Sequence, residues 1–184
     1  DVDVFVPRTV GGDGRPWNRA VSNFEKSKGR YSQHLRQEAI GDCSVRFVDG
    51  GVFLIRRSAF LALGGFDENI FLYFEDDDLS LRLLAAGHQI VYVHDALATH
   101  RIGTSSRPIG RYLVRKEFHK KRSEIYFNAK YGKPTNITSE LIAGIAKILF
   151  YCITLRRRRA LAAYGRFLGV LSLTRSQDNL SASP

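Results

Sequence analysis

The chain has 184 residues, of which 44% are hydrophobic and 25% are charged, and its formal net charge is +10. This composition excludes a disordered chain and suits one globular domain with appended helices. Cys43 and Cys152 form neither a disulfide framework nor a metal-ligand spacing, so we interpret them as two thiols in a reducing compartment.

The N-terminal segment is typical of the interior of a domain, because its first residues show a strand pattern and not the pattern of a signal peptide. Val2, Val4 and Val6 alternate with other residues and predict a short strand, and the glycine-rich residues 11–14 predict a turn. We therefore expect the chain to be part of a longer protein. The polar, basic residues 18–42 predict a surface loop with one short helix.

The middle of the chain predicts strands that alternate with helices. Residues 47–57 predict a buried strand, in which Gly50-Gly51 indicates a bulge or a close backbone contact. Ser58 is placed to cap a short helix over residues 59–63, which Gly64-Gly65 ends. A second helix over residues 76–86, stopped by a glycine, and a strand over residues 90–93 follow, so the order predicts α/β layering.

The acidic run from Glu75 to Asp78 opens the second of these helices. One interpretation is helix capping, since the helix dipole favours carboxylates in a first turn. The other is a functional cluster, because paired carboxylates suit a general base and oxygen-rich groups bind Mg²⁺ or Mn²⁺. His100 is the candidate histidine beside the cluster, and His94 competes with it for that role.

The second half of the chain is basic and helical. Residues 1–100 have a net charge of −3 and residues 101–184 a net charge of +13, which predicts chemistry in the first half and an anionic partner for the second. The uncharged stretch before Arg156–Arg159 is too short to span a bilayer, so we expect helices lying on a membrane surface. The alternatives are helices that cover the α/β core and a spanning helix. The predicted helices and the predicted disordered tail are residues 109–130, 138–155, 157–173 and 176–184.

The run GGVFLIRRSAFLALGGFDENIFLYFEDDDLSLRLLAAGHQIVYVHDALATH resembles the C-terminal half of the catalytic domain in glycosyltransferase family 2, and most closely its bacterial rhamnosyltransferase-like members. The resemblance covers residues 47–106, with a looser similarity in VFVPRTVGGDGRP. It depends on a combination: a double glycine, GGFDE, an aromatic run into Glu-Asp, an amphipathic helix, a strand and a histidine.

The resemblance implies a GT-A (Rossmann-like) α/β fold and a reaction that inverts the sugar anomer. It implies that Asp76 is the general base, that Glu75 orients it, and that His100 lies near a divalent metal and the diphosphate. Gly50 and Gly51 would line the sugar and acceptor cleft, and the loop residues Asp67 and Glu68 would contact the acceptor. Asp78 is expected to face away and cap the helix.

The N-terminal part departs from the family pattern, in which an Asp-x-Asp metal motif ends a nucleotide-binding unit. Residues 1–3 and 76–78 match the Asp-x-Asp pattern, but neither stands at the position that the motif has in the family. The resemblance therefore implies a partial GT-A domain over residues 1–106, lacking its N-terminal nucleotide-binding half, followed by basic amphipathic helices over residues 107–175. We expect this part alone to be inactive, and Mg²⁺ or Mn²⁺ to need the missing half for full coordination.

The predicted function is that of an inverting glycosyltransferase that transfers a sugar, with rhamnose as the candidate, from a nucleotide-sugar to a lipid-linked or polysaccharide acceptor in cell-envelope glycan synthesis. We expect it at the cytoplasmic face of the plasma membrane, bound peripherally to the anionic surface, with no nucleic acid as partner. The alternatives are a non-catalytic membrane-anchoring or interaction domain and a nucleic-acid-binding module. The second of these fits the pI of about 9.9, but no nucleic-acid-binding motif is present in the sequence.

Overall fold

A computed structural model of the chain describes residues 2–18, 21, 39–100 and 110–181, with side chains described up to residue 174. The chain divides into two compact units. The first unit comprises residues 1–67 and 75–105, and the second unit comprises residues 68–74 and 106–184. Most of the predicted surface loop over residues 18–42, with its short helix, lies outside the described residues.

The first unit contains a mixed four-stranded sheet. Its strands have the spatial order β2-β4-β1-β3, in which β1 and β4 are parallel and the two outer strands are antiparallel to their neighbours. The unit is thus mixed α/β, as the sequence predicted. Its elements are β1 (Val4–Gly11), β2 (Cys43–Val45), β3 (Leu54–Ile55), α1 (Arg57–Ala62), α2 (Glu75–Ala85) and β4 (Ile90–His100).

The core of the first unit joins the sheet to the helices. Alternate residues of β1 contribute Val4 and Val6, and β4 contributes Ile90. Leu79 and Leu83 pack against them from one side of α2, since residues four apart share a helix face. Burial of each such side chain contributes roughly 1.5–3 kcal/mol, so this packing fixes where α2 begins relative to the strands.

Two local predictions in the middle of the chain are wrong. Residues 47–57 do not form one strand, because only Leu54–Ile55 pairs with β1. Asp49 instead closes a turn, in which its backbone oxygen accepts a hydrogen bond from the Val52 N–H at 3.3 Å. The predicted Ser58 cap is also wrong, since α1 begins at Arg57 and its N-terminus has no side-chain cap.

The strand β4 is longer than predicted and contains an irregularity. It runs to His100, and its register with β1 shifts between Pro7, opposite Val93, and Arg8, opposite Leu97. Such a shift bends a strand and changes the face to which the later side chains point. The end of α2 matches the prediction, because Gly87 has a φ of 83°, which favours glycine.

The second unit contains three helices: α3 (Arg111–Lys130), α4 (Ile137–Ile153) and α5 (Arg157–Ser181). A methyl carbon on Gly165 would lie 2.4 Å from the Val114 carbonyl oxygen, and one on Gly169 would lie 2.7 Å from that of Phe118. Glycine is therefore needed at both positions for α5 to approach α3 this closely. The two helices run parallel, since both contacts advance along them in the same direction. The last helix ends later than the predicted residue 173.

Buried charges in the second unit are paired. Lys121 is 1% exposed, and its Nζ lies 2.8 Å from Glu124 Oε1 and 3.0 Å from Glu140 Oε1. Arg166 Nη2 lies 2.9 Å from Glu124 Oε2. Burial alone would raise the pKa of Glu124, but the bonds and charges of Lys121 and Arg166 lower it overall. The paired charges thus link all three helices.

The loop formed by residues 68–74 belongs to the second unit and packs on α3. The rings of Phe74 and Phe127 are 5.2 Å apart, and the Leu72 N–H donates to Ser123 Oγ at 3.3 Å. Tyr73 and Phe74 have φ values of 63° and 72°. This left-handed conformation costs a non-glycine residue roughly 1–2 kcal/mol, which the contacts with α3 offset.

Candidate functional site

The candidate site lies where three elements of the first unit end or begin. His100 is the last residue of β4 and pairs in register with Gly11, the last residue of β1. The acidic run begins α2 at Glu75. The carboxyl ends of parallel strands are the usual place for ligands in open α/β sheets, because the chain leaves a crevice there.

The double glycine lies between the acidic run and the histidine. A methyl carbon on Gly50 would lie 3.3 Å from Asp76 Cβ and 3.6 Å from its Oδ2, and one on Gly51 would lie 3.4 Å from His100 Nδ1. Both glycines are exposed, and the side chains of Asp76 and His100 are half-buried. The fold therefore brings together four residues that the sequence singled out.

Asp49 is a site residue that sequence reasoning missed. Its side chain is 7% exposed, and Oδ1 accepts a hydrogen bond from the Gly51 N–H at 3.2 Å. Its Oδ2 is buried without a hydrogen-bond partner among the described residues. A buried carboxylate oxygen without a hydrogen-bond partner is costly, so Asp49 is a candidate functional residue beside Gly51 and His100. The available signal was a carboxylate inside an apolar run, directly before two glycines.

Trp17 is the second residue that the sequence analysis missed. Its ring stacks on His100, with centroids 5.2 Å apart and planes 28° from parallel, and 37% of its side chain is exposed. Its backbone N–H donates to the Thr9 carbonyl at 2.8 Å, which fixes it beside the end of β1. The signal was its rarity, since it is the only tryptophan of the chain.

The two residues proposed to act together, Glu75 and Asp76, begin α2. Asp76 Oδ1 accepts a hydrogen bond from the Asp77 N–H at 2.9 Å, as a residue near a helix N-terminus does. Glu75 Oε2 is buried, with no hydrogen-bond partner in the part of the chain that the structure describes. Burial raises the pKa of Glu75, the hydrogen bond from its own N–H opposes that rise, and the Asp76 charge adds to it.

Asp78, which is expected from the sequence to face away from Asp76 and cap the helix, is part of a buried ion pair. It is fully buried, and its Oδ2 lies 2.7 Å from Arg82 Nε one helical turn later. Arg82 also donates from Nη1 to the Leu63 carbonyl at 2.9 Å. Two residues of the acidic run therefore have different surroundings. Asp76 faces the glycines, whereas Asp78 stabilises the packing of α2.

Other candidate residues lie apart from this cluster. The His94 N–H donates to Asp42 Oδ1 at 2.8 Å, within the irregular part of β4. Asp3, which belongs to the Asp-x-Asp letters at the start, pairs with Arg56 at 2.6 Å and with His88 at 3.0 Å at the opposite end of β1. Asp67 ends the first segment of the first unit, Glu68 begins the loop of the second unit, and their part in acceptor binding stays a prediction.

The described residues do not by themselves complete a metal site. Within residues 2–18, 21, 39–100 and 110–174, no group of three or more His, Cys, Asp and Glu side chains is arranged to hold a metal ion. His100 and Asp49 are both near Gly51, but two ligands do not satisfy a divalent cation.

Comparison with known proteins gives one family and several relatives. The model described as glycosyl transferase family group 2 matches residues 10–171. A protein of Mycobacterium tuberculosis named N-acetylglucosaminyl-diphospho-decaprenol L-rhamnosyltransferase is 46% identical over 67 residues, which cover 35% of this chain and 22% of that protein. Rhamnosyltransferase WbbL of Escherichia coli is 38% identical over 65 residues, which cover 35% of this chain and 25% of that protein.

Proposed function

Because the chain belongs to glycosyl transferase family group 2, with rhamnosyltransferase-like relatives, we propose that it takes part in transferring a sugar from a nucleotide-sugar to a lipid-linked or glycan acceptor in cell-envelope synthesis. The observation that carries the proposal is the approach of Asp76 and His100 to the exposed Gly50-Gly51 turn. Rhamnose is the candidate sugar, because both relatives are named for it.

In the proposed mechanism Asp76 is the general base. Its carboxylate takes the proton of the acceptor hydroxyl while the hydroxyl oxygen forms a bond to the anomeric carbon. The bond between that carbon and the diphosphate oxygen breaks on the opposite face, and the nucleoside diphosphate leaves with the electron pair. A single displacement of this kind inverts the anomer. The absence of side chains at Gly50-Gly51 leaves room for the acceptor beside the carboxylate.

The neighbours of Asp76 would position it and the acceptor. Glu75, which is half-buried and has a raised pKa, would orient Asp76 at the start of α2. Asp49 would act as a positioning residue, because it fixes the Gly51 backbone and places a charge near His100. Trp17 offers a partly exposed ring on which the apolar face of a sugar would stack.

The first unit would supply the acceptor side of a GT-A domain, with the catalytic part over residues 1–106 and a membrane-binding helical part over residues 107–175. If Mg²⁺ or Mn²⁺ binds the donor diphosphate, His100 is the described residue placed to approach it. A bound cation would neutralise the departing diphosphate. The remaining ligands would come from residues other than those described here.

We also propose that the second unit binds peripherally to the cytoplasmic face of the plasma membrane. One side of α4 is apolar and exposed, and Ile142, Ile145, Leu149 and Ile153 follow a helical spacing along it. Arg156 to Arg159 come directly after α4, are exposed, and would attract an anionic leaflet by about 1 kcal/mol each. Among the described residues, no helix is both long and apolar enough to cross a membrane.

The exposed side of α4 also supports a second candidate, a non-catalytic membrane-anchoring domain. That function would leave the arrangement of Asp76, His100 and the two glycines without a role. A nucleic-acid-binding module is less well supported, because the acidic run at the start of α2 would repel phosphate. Loss of transfer without loss of membrane binding on substitution of Asp76 would separate the enzyme from the anchor.

The test is the Asp76→Asn substitution in the full-length protein, with transfer measured from dTDP-rhamnose to a lipid-diphosphate-linked sugar. Loss of a general base predicts that kcat falls by roughly 10²–10⁴-fold. Asp95→Asn is the matched control, because Asp95 is exposed in the irregular part of β4 and should leave kcat unchanged. Undiminished transfer by Asp76→Asn would refute the assignment of the base.

A further inference from the structure

The second unit contains a wide cavity that the proposed transfer reaction does not use. Its volume is about 920 Å³, which is within the usual range of small-molecule sites. It lies between the first turns of α3 and the start of α5, and these helices run parallel, so both begin at the same end of the unit. We call this space the α3–α5 cavity.

One part of the α3–α5 cavity is strongly basic. Arg111, Arg115 and Arg157 line it, and none of the residues around it is acidic. No carboxylate of the described residues lies within ion-pair distance of these three arginines. The cations in the interior of the same unit are paired, since Lys121 and Arg166 each form ion pairs with glutamates. Three guanidinium groups without a carboxylate partner among the described residues suit a phosphate or diphosphate, which accepts bidentate hydrogen bonds from arginine.

Apart from His119, the remaining wall of the cavity is apolar. Phe118, Leu161 and Leu168 line it together with Tyr112 and Val114. A free nucleotide or inorganic phosphate would leave this wall in contact with water, whereas an amphiphile would cover it. Burial of apolar surface contributes roughly 25 cal/mol per Å², so a hydrocarbon chain in this space would add binding free energy to that of the anion.

We propose that the α3–α5 cavity binds the phosphate or diphosphate group of a lipid, with the arginines on the anion and the first part of the hydrocarbon chain on the apolar wall. This site would hold an amphiphile in the same unit that carries the exposed apolar side of α4. The link between this lipid and the sugar acceptor rests on the proposed function, but binding to the cavity does not.

The experiment measures calorimetric binding of three probes to the 184-residue chain: farnesyl diphosphate below its micelle concentration, inorganic pyrophosphate and farnesol. We expect farnesyl diphosphate to bind at least about tenfold more tightly than either of the other two, because only it supplies both the anion and the chain. Equal binding of pyrophosphate would show a free-phosphate site and overturn the lipid assignment, and equal binding of farnesol would overturn the role of the arginines.

Substitutions test the location of the site. Arg115→Gln and Arg157→Gln should each weaken farnesyl diphosphate binding about fivefold to tenfold, through loss of a charge-assisted hydrogen bond. Lys130→Gln is the control, because Lys130 is an exposed cation at the far end of α3 that does not line the cavity. If all three variants bind the probe equally, the site is elsewhere. Because no transfer is measured, this result is separate from the Asp76 test.

Discussion

Buried charges in the two units of the protein are paired to different extents, although the first unit also has one buried ion pair, between Asp78 and Arg82. In the second unit Lys121 is almost fully buried and is bonded to Glu124 and Glu140. In the first unit Asp49 and Glu75 each keep one buried carboxylate oxygen without a hydrogen-bond partner among the described residues. Unpaired buried charge lowers stability, so a fold tolerates it mainly where the charge has a function. The comparison separates charges that stabilise the structure from charges that serve a site.

The largest expected effect is a loss of stability on removal of Lys121, the buried and paired cation of the second unit. Lys121→Ala should lower the free energy of unfolding by about 3 kcal/mol, because it leaves Glu124 and Glu140 without their shared partner in a half-buried place. Urea unfolding followed by circular dichroism measures this. Arg158→Ala, on the surface of α5, should change stability by less than about 0.5 kcal/mol. A loss below about 1 kcal/mol for Lys121→Ala would mean that the pairing is not structural.

The next largest effect is expected for Asp49, the unpaired buried carboxylate of the candidate site. Asp49→Asn keeps an oxygen for the Gly51 N–H but removes the buried charge, so stability should change by less than about 1 kcal/mol. The variant should lower kcat roughly tenfold while KM changes little, since it removes the carboxylate beside Gly51 and His100 while the Gly51 N–H keeps its acceptor. A large loss of stability with unchanged kcat would instead make Asp49 a structural residue like Lys121.

The smallest effect is a pH dependence of stability at Glu75. Burial raises its pKa in the folded state above the usual 4.5, so the folded protein binds more protons than the unfolded one between these two values. Stability from this group therefore decreases as the pH rises through that interval. Glu75→Gln should raise the melting temperature at pH 7 to 8, and the difference should shrink as the pH falls towards 4.5.

Melting curves of the Glu75→Gln variant and the natural protein over pH 4 to 8 test this. Glu68→Gln is the control, since Glu68 is exposed and should give a curve that runs parallel to that of the natural protein. If Glu75→Gln also runs parallel, the carboxyl is not held in an environment that penalises its charge, and the contrast between the two units is weaker than proposed.

The sequence alone determined much of the fold and part of the candidate site. Apolar periodicity and the glycine that follows predicted α2 to within a residue, because helix geometry and a left-handed stop are local properties. The alternating valines predicted β1 for the same reason. The family resemblance placed Asp76, His100 and the two glycines in one site, and the fold brings them together.

Only the tertiary structure decided the remaining features. The sequence did not identify Asp49 or Trp17 as site residues, because the burial of Asp49 depends on what packs against it and the stacking of Trp17 on His100 depends on where β4 ends. Asp78 became a buried ion pair since α2 packs on the sheet. The loop over residues 68–74 joined α3, because its aromatic side chains find partners there. Charge and periodicity are local, whereas burial depends on what packs against a residue.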